Sequence, residues 1–186
     1  MIKKKLVPLL FYFKNNVTSH PQFPLNNLLN KNTNIGWISN RFCTYPQEII
    51  VEFHSYVNIR QINILIKETK IPTIIEFINW IYVPINNNKI NNPIEKELSN
   101  RKKRKNKLEY QYKNIGFIKL SSNVKTNYQA RELRKIYINI LTKRLKLIIH
   151  RIYSNTINTF CQVGIVNLNF LDIFWIAIKL MKIIKN

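Results

Sequence analysis

Hydrophobic and polar residues alternate with a period of two along most of the chain. Isoleucines occupy every second position in Ile62–Ile66 and again in Ile136–Ile140, with Asn63 and Asn139 among the residues between them. This alternation predicts strands with one buried face, because successive side chains of a strand point to opposite faces. Further strands are predicted, separated by short polar turns, at 49–54, 73–78, 115–120, 145–152 and 162–169.

Short strands at this spacing are typical of an antiparallel β-sandwich. We therefore predict an all-β fold in which residues 6–13 form the first strand. Only residues 26–30 and the last dozen residues favour a helix, and the apolar end of the chain predicts a short C-terminal helix. The chain has 3 glycines, so the turns depend on Pro and on Asn, which tolerates the left-handed backbone region.

A low-complexity segment at 84–107 interrupts the strand pattern. It is rich in Asn and has few apolar residues, a composition that predicts a disordered loop. Five clustered cations lie within it and form a candidate site for polyanions or nuclear import: Arg101, Lys102, Lys103, Arg104 and Lys105. The simpler interpretation is a solvated insertion.

The charge of the chain points in the same direction. The sequence holds 30 Lys and Arg against 9 Asp and Glu, a formal net charge of +21, which favours acidic partners such as nucleic acid, acidic protein tails or anionic lipid. Part of the lysine excess has a simpler source, since codons rich in A and T favour Asn, Ile and Lys together.

Several classes of function lack their signatures. Cys43 and Cys161 share no metal-ligand spacing with the three histidines, so we predict two buried, reduced thiols and neither a metal nor a cofactor. No nucleophile motif, phosphate-binding loop or pair of carboxylates occurs, and we predict that the protein is not an enzyme. The apolar stretch 165–184 contains Asn, Asp and Lys residues that are costly in a bilayer, so no membrane span is predicted.

The segment Gly36–Ile49 has the most specific composition. Trp37 and Phe42 are large enough to plug one end of a sandwich, and Pro46 suits a corner. Arg41 or Arg131 is expected to pair with Glu48 or Glu132. Alternatively, Trp37, Arg41 and Arg131 line a partner-binding surface at the loop end of the sandwich. The residues that are candidates for either role are Trp37, Arg41, Phe42, Gln47, Glu48, Arg131, Glu132 and His150.

Several motifs occur in a recognisable order. Gly-Trp-x-Ser-x-Arg-Phe-Cys-x-Tyr-Pro-Gln-Glu-Ile at 36–49 is followed by Ile-Gly-Phe-Ile at 115–118, Ala-Arg-Glu-Leu at 130–133 and Leu-Lys-Leu-Ile-x-His at 145–150. From about Leu9 to about Asn169, the chain resembles the amino-terminal domain of the family of the centrosomal protein of one hundred and four kilodaltons. The resemblance implies a galactose-binding-like jelly roll over 6–169, with 84–107 as an insertion and 170–186 as a divergent apolar tail.

The resemblance also implies a function. The family is found at the centriole, the basal body and the ciliary (axoneme) tip, which implies a non-catalytic structural or interaction module of the cytoplasmic cytoskeleton. Its partners would be proteins of the centriole or cilium, with tubulin and end-binding proteins among the candidates. A module of the anaphase-promoting-complex substrate-receptor type and a basic nucleic-acid-binding protein are the alternatives, although no base-stacking motif supports the latter.

One short motif has a more specific implication. It matches the Ser/Thr-x-Ile-Pro pattern with which proteins dock on microtubule end-binding proteins, and it consists of Thr69, Lys70, Ile71 and Pro72. Such motifs work from extended segments, whereas this one lies between two predicted strands. We therefore expect the motif to be part of a short connection.

Overall fold

The computed structural model describes residues 2–30, 35–84 and 108–177, which form an all-β fold. The strands are β1 (Ile2–Pro8), β2 (Tyr12–Phe13), β3 (Trp37–Ile38), β4 (Gln47–Ile66), β5 (Ile74–Pro84), β6 (Leu108–Lys119), β7 (Glu132–Ile149) and β8 (Gly164–Ala177). They pair antiparallel, and short 3₁₀ turns cover Leu25–Leu29 and Val124–Thr126. The predicted antiparallel all-β class is confirmed.

Two long strands organise the sheet. β4 and β7 pair along their whole lengths, and the strand order is β1-β8-β4-β7-β5-β6, with β2 added to β4 and β3 to β8. The last part of β7 pairs with β5, whereas the last part of β4 pairs with β8. β4 and β7 thus link β1 and β8 on one side to β5 and β6 on the other, so that one continuous sheet encloses the core.

The sequence pattern splits each of these strands into two, and that prediction is wrong. The predicted strands 49–54 and 62–66 are the two parts of β4, and 136–140 and 145–152 correspond to the two parts of β7, which ends at Ile149. Between Glu52 and Val57 the register shifts, so that residues 53–56 of β4 lie opposite a single residue, Lys143. The polar residues in these places therefore mark a β-bulge and not a turn.

Side-chain contacts hold this bend. The hydroxyl of Thr142, which is fully buried, donates to the carbonyl of Arg144 at 2.8 Å and accepts from its N–H at 3.0 Å. The guanidinium of Arg144 in turn contacts the Glu52 carboxylate at 2.6 Å. Burial raises the pKa of Glu52, but hydrogen bonds from Tyr12 and Arg144 outweigh it and hold that pKa below its ordinary value of 4.5.

The core follows the predicted period of two. Ile62, Ile64 and Ile66 are fully buried, as expected for one face of a strand. The same cluster contains side chains from the first part of β4, the last part of β7 and β8, namely Ile49, Val51, Phe53, Leu145, Leu147, Ile149, Ile165 and Phe170.

The predicted boundaries at the two ends need correction. β1 ends at Pro8, so residues 6–13 span the end of one strand and all of β2. β8 continues to Ala177, and Phe170 is fully buried, so the predicted boundary after Asn169 falls inside a core strand. The start of the predicted C-terminal helix, 175–177, is strand. The rest of that helix, the predicted loop beyond Pro84 and the run 101–105 lie outside the described residues. Within the described ranges, no helix is long and apolar enough to cross a membrane.

Candidate partner-binding surface

Four connections meet at one end of the sandwich, which we call the loop end: residues 39–46, 67–73, 120–131 and 150–163. Backbone hydrogen bonds join them, from Ser39 to Val163 at 2.9 Å, from Thr73 to Arg151 at 2.9 Å and from Leu120 to Thr73 at 3.1 Å. Connections cross-linked in this way form a defined surface, because each segment limits the conformations of its neighbours.

The Gly36–Trp37 pair anchors this end in the core. Trp37 is fully buried, and its indole N–H donates to the Ser19 hydroxyl at 2.9 Å. Gly36 has a φ of +71°, and a Cβ there would lie 2.3 Å from the Ile165 carbonyl oxygen. Trp37 thus has the predicted packing role, and its burial removes it from an exposed binding surface.

Phe42 does not plug the sandwich as predicted, because 70% of its surface is exposed. Its backbone has a φ of +50°, which is rare for a bulky residue. The Phe42 N–H donates to the carbonyl of Phe160 at 2.8 Å, and the two rings meet edge to face with centroids 5.7 Å apart. The Arg41 guanidinium lies 4.2 Å from the centre of the Phe160 ring. Ile157 is exposed in the same loop as Phe160, and we call these four residues the aromatic patch: Arg41, Phe42, Ile157 and Phe160.

Sequence reasoning missed Ile157 and Phe160. They are isolated apolar residues in the polar stretch 154–161. Their isolation was the signal that indicated an exposed apolar site, because a polar loop has no core of its own in which these side chains can pack.

A network of polar side chains holds the loop behind the patch. The Asn158 amide donates to the Gln162 carbonyl and accepts from the Gln162 N–H, and the Gln162 amide donates to the Ser39 carbonyl at 2.8 Å. The Lys70 ammonium donates to the amide oxygens of Asn158 and Gln162, each at 3.0 Å. Burial, and secondarily the neighbouring Lys67, lowers the pKa of Lys70 below 10.5.

These contacts bury the Ile-Pro half of the predicted end-binding motif, whereas Thr69 and Lys70 are half-buried. Ile71 and Pro72 are buried, and Pro72 bridges to Ile152. The Ile71 carbonyl accepts from the Tyr153 N–H at 3.0 Å, and the Thr69 carbonyl accepts from the Asn155 amide at 3.0 Å. The segment is therefore a folded connection, as its position between strands predicted.

The ion pairs differ from the predicted ones. Arg131 contacts Glu68 at 3.2 Å, Glu48 contacts Lys146 at 3.0 Å and Glu132 contacts Arg134. Glu68 and Glu48 take cations from a neighbouring loop or strand, whereas Glu132 pairs with Arg134 on its own strand.

Two other candidate residues have structural contacts. Gln47 is buried, and its amide donates to the Thr44 carbonyl. The imidazole of His150 lies 2.9 Å from the Glu76 carboxylate.

The cysteines are free thiols but differ in exposure. Cys43 is half-buried, with its sulfur 3.2 Å from the Ser39 hydroxyl. Cys161 is exposed, contrary to the prediction of a buried thiol, and its carbonyl accepts from the Tyr45 hydroxyl at 2.8 Å. Burial is the main reason that the pKa of Tyr45 is raised. Among the described residues, no cluster of three metal-binding side chains occurs.

Comparison with protein families gives a direct match. The family model described as "Centrosomal protein CEP104, N-terminal domain" matches residues 36–172, which include the loop end and most of the core. The chain belongs to the CEP104 family. The resemblance seen in the sequence motifs is therefore confirmed, and with it the centrosomal character of the family.

Two relatives set the extent of the similarity. "Centrosomal protein of 104 kDa" from Homo sapiens is 30% identical over 136 residues, and the protein of that name from Mus musculus is 28% identical over 136 residues. In both comparisons the match covers 73% of this chain and 13% of the relative. The chain thus corresponds to one part of a much longer CEP104 protein.

Solved structures support the jelly-roll fold. A family 32 carbohydrate-binding module from C. perfringens NanJ, in complex with galactose, superposes with a TM-score of 0.55 at 11% identity and covers 92% of this chain and 93% of the module. The chain of reduced XRCC1 bound to the DNA polymerase β catalytic domain gives a TM-score of 0.56 at 10% identity, over 88% and 98% of the two chains. At such identities the likeness shows the fold alone, and the predicted galactose-binding-like sandwich is confirmed.

Proposed function

We propose that this chain is a non-catalytic docking module of a CEP104-type protein, which a partner at the centriole, basal body or ciliary tip recognises through the aromatic patch. The observation that carries the proposal is Phe42. Its ring is 70% exposed on a left-handed backbone. Strained backbone at an exposed residue is typical of sites kept for binding.

The patch has the composition of an interface anchor. Aromatic and Arg side chains dominate the energetics of protein interfaces, and here Arg41 covers one face of Phe160 while Phe42 meets its edge. The ordered loop behind the patch lowers the entropy that is lost on binding.

The charge around the patch predicts an acidic partner. Arg41 and Arg151 are exposed at the loop end, as is Lys125. Glu68, a carboxylate of this end, is paired with Arg131. Such a surface favours acidic segments, including the acidic tails of tubulin.

The described carboxylates support a non-catalytic role. Glu48, Glu52, Glu68 and Glu132 each contact a cation, at distances from 2.5 to 3.2 Å. A general acid or base needs a site that converges on a reacting group. Ion-paired carboxylates spread over several strands serve the sheet instead.

The test is the position of a tagged chain in the cell. The endogenous gene carries a C-terminal fluorescent tag, and the signal is compared with a centrin marker. We expect the native chain at centrioles or basal bodies, and a diffuse signal for a variant with both Arg41→Ala and Phe42→Ala.

The control is Tyr56→Ala, which removes an aromatic ring that is 50% exposed at the β4 bulge. It should remain localised. A diffuse or nuclear signal for the native chain would refute the centrosomal role, whereas normal localisation of the folded double variant would refute the aromatic patch alone.

The two alternatives inferred from the sequence remain predictions with their own tests. A substrate-receptor module would copurify with a ubiquitin ligase. A nucleic-acid-binding protein would use its net charge of +21, and its affinity would fall steeply with salt.

A further inference from the structure

β7 has an edge that no described strand covers. β5 pairs only with residues 144–149 of β7, and the last of these pairs is Trp80 with Arg144. β7, however, begins at Glu132. Along 132–142 it pairs with β4 on one side. In the described part of the chain, the other side has no strand neighbour, so its outward backbone N–H and C=O groups are open to an added strand.

This edge carries exposed apolar side chains. Leu133, Tyr137 and Leu141 are each more than half exposed and lie four residues apart. Leu133 and Tyr137, an even number of positions apart, lie on one face of the strand, and Leu141 follows after the register shift opposite Arg60. An apolar row on a free edge is therefore a natural site for strand addition.

A groove runs beside the edge, where β7 parts from β5 and β6. Its cavity measures about 390 Å³ and is lined by Asn79, Ile81, Ile115, Asn139, Ile140 and Leu141, among others. A space of this size accommodates one or two side chains of a bound segment.

The groove contains an unsatisfied buried polar atom. Asn79 is 5% exposed, and within the described residues its Oδ1 has no hydrogen-bond partner. Its Nδ2 donates to the Leu141 carbonyl at 3.5 Å, at the limit of a hydrogen bond. A buried acceptor without a donor is costly in a free protein, and a ligand that supplies a donor removes this cost.

The groove is positively charged. Lys113 lines it, and among the described residues no carboxylate does. Glu132, a carboxylate of β7, accepts hydrogen bonds from Ser121 and pairs with Arg134. The charge therefore favours an acidic occupant.

We propose that this groove binds an extended acidic segment of a partner protein. The segment adds antiparallel or parallel to the free edge of β7 and places an Asn, Gln or Ser side chain against Asn79. An acidic residue of the segment faces Lys113. This site is distinct from the aromatic patch and does not depend on it.

The test uses fluorescein-labelled peptides of alternating Glu and Val, with Asn, Gln, Ser or Val at the centre. Binding to the full chain is measured by fluorescence anisotropy at about physiological salt, where weak charge contacts are screened. We expect saturable binding that is strongest with a polar central residue. Leu141→Glu should weaken it about tenfold, while the matched control Leu10→Glu, at an exposed leucine between β1 and β2, should leave it unchanged.

Backbone methylation separates strand addition from charge attraction. An added strand uses every second N–H group to pair with the edge. Methylating one alternate set of peptide nitrogens should therefore abolish binding, while methylating the other set should preserve it. The preference for a central Asn over Val should disappear with Asn79→Leu.

Three results would overturn the proposal. They are the absence of binding by every peptide of the panel, equal binding by both methylated sets, and binding by Leu141→Glu as tight as that of the native chain. A fourth would reassign the edge: self-association in analytical ultracentrifugation that Leu141→Glu abolishes would make a second copy of this chain the occupant.

Discussion

At the scale of single residues, two aromatic side chains only five positions apart have opposite surroundings. Trp37 is fully buried and Phe42 is largely exposed. The sequence could not separate them, because hydrophobicity measures what a residue gains on burial and not where the backbone directs it. The left-handed backbone at Phe42 decides its direction.

This contrast predicts a difference in stability. Trp37→Ala should lower the free energy of unfolding by about 3–5 kcal/mol, the usual cost of emptying a buried aromatic site. Phe42→Ala should change it by less than about 0.5 kcal/mol, as for other surface substitutions. Urea denaturation followed by fluorescence measures both. Equal losses in the two variants would mean that the Phe42 ring packs in the core in solution.

Ion pairs were the least predictable contacts at this scale. Arg131 takes Glu68 as its partner, 63 positions away, because the loop after β4 folds back beside the loop after β6. Sequence reasoning placed the charged residues in the right region. It could not choose their partners, since that choice depends on how the loops pack.

At the scale of elements, the period of two located parts of β4 to β8, but it broke β4 and β7 at their bulges and missed β3 and the start of β1. The predicted interruption, residues 55–61, contains polar residues such as Ser55, Asn58 and Arg60, as a turn does. The chain instead stays extended there, because β7 continues alongside it after one residue, Lys143. A bulge and a turn share polar residues, and only the partner strand distinguishes them.

The β5–β6 hairpin allows a prediction about the insertion between these strands. Pro84 lies directly opposite Leu108, so the residues that flank the segment 85–107 are neighbours. Replacing this segment with Asn-Gly, a favoured two-residue hairpin turn, should preserve cooperative thermal unfolding. Stability should stay equal or rise by about 1 kcal/mol, because a shorter loop costs less entropy to close. A variant that fails to fold would show that the segment is required for the sandwich.

At the scale of the whole molecule, the sequence predicted class and family well. The motifs at 36–49 and 130–133 gave the family, and the alternation gave the antiparallel sandwich. The aromatic patch was only half predicted, since Arg41 and Phe42 stood out but Phe160 comes from a loop about 120 residues away. The groove beside the free edge of β7 was not predicted from the sequence, because a free edge is a property of the completed sheet.

The net charge also acts at this scale. With +21 formal charges, the chain should bind duplex DNA at low salt without sequence preference, and the affinity should fall about 10³-fold or more between roughly 50 and 200 mM salt. Fluorescence anisotropy with two unrelated duplexes checks this. A variant with serine at positions 101–105 should have a shallower salt dependence. Tight, sequence-selective binding at the higher salt would instead favour the nucleic-acid-binding alternative.

The pairing of β1 with β8 has a mechanical consequence. Ile2 lies opposite Ala177, and the register continues inward to Pro8 opposite Leu171. A force that pulled residues 2 and 177 apart would load these cross-strand bonds one after another, as in opening a zipper, and not all at once. A load applied between these two residues would therefore detach β1 from β8 before it reached the pairing of β4 with β7.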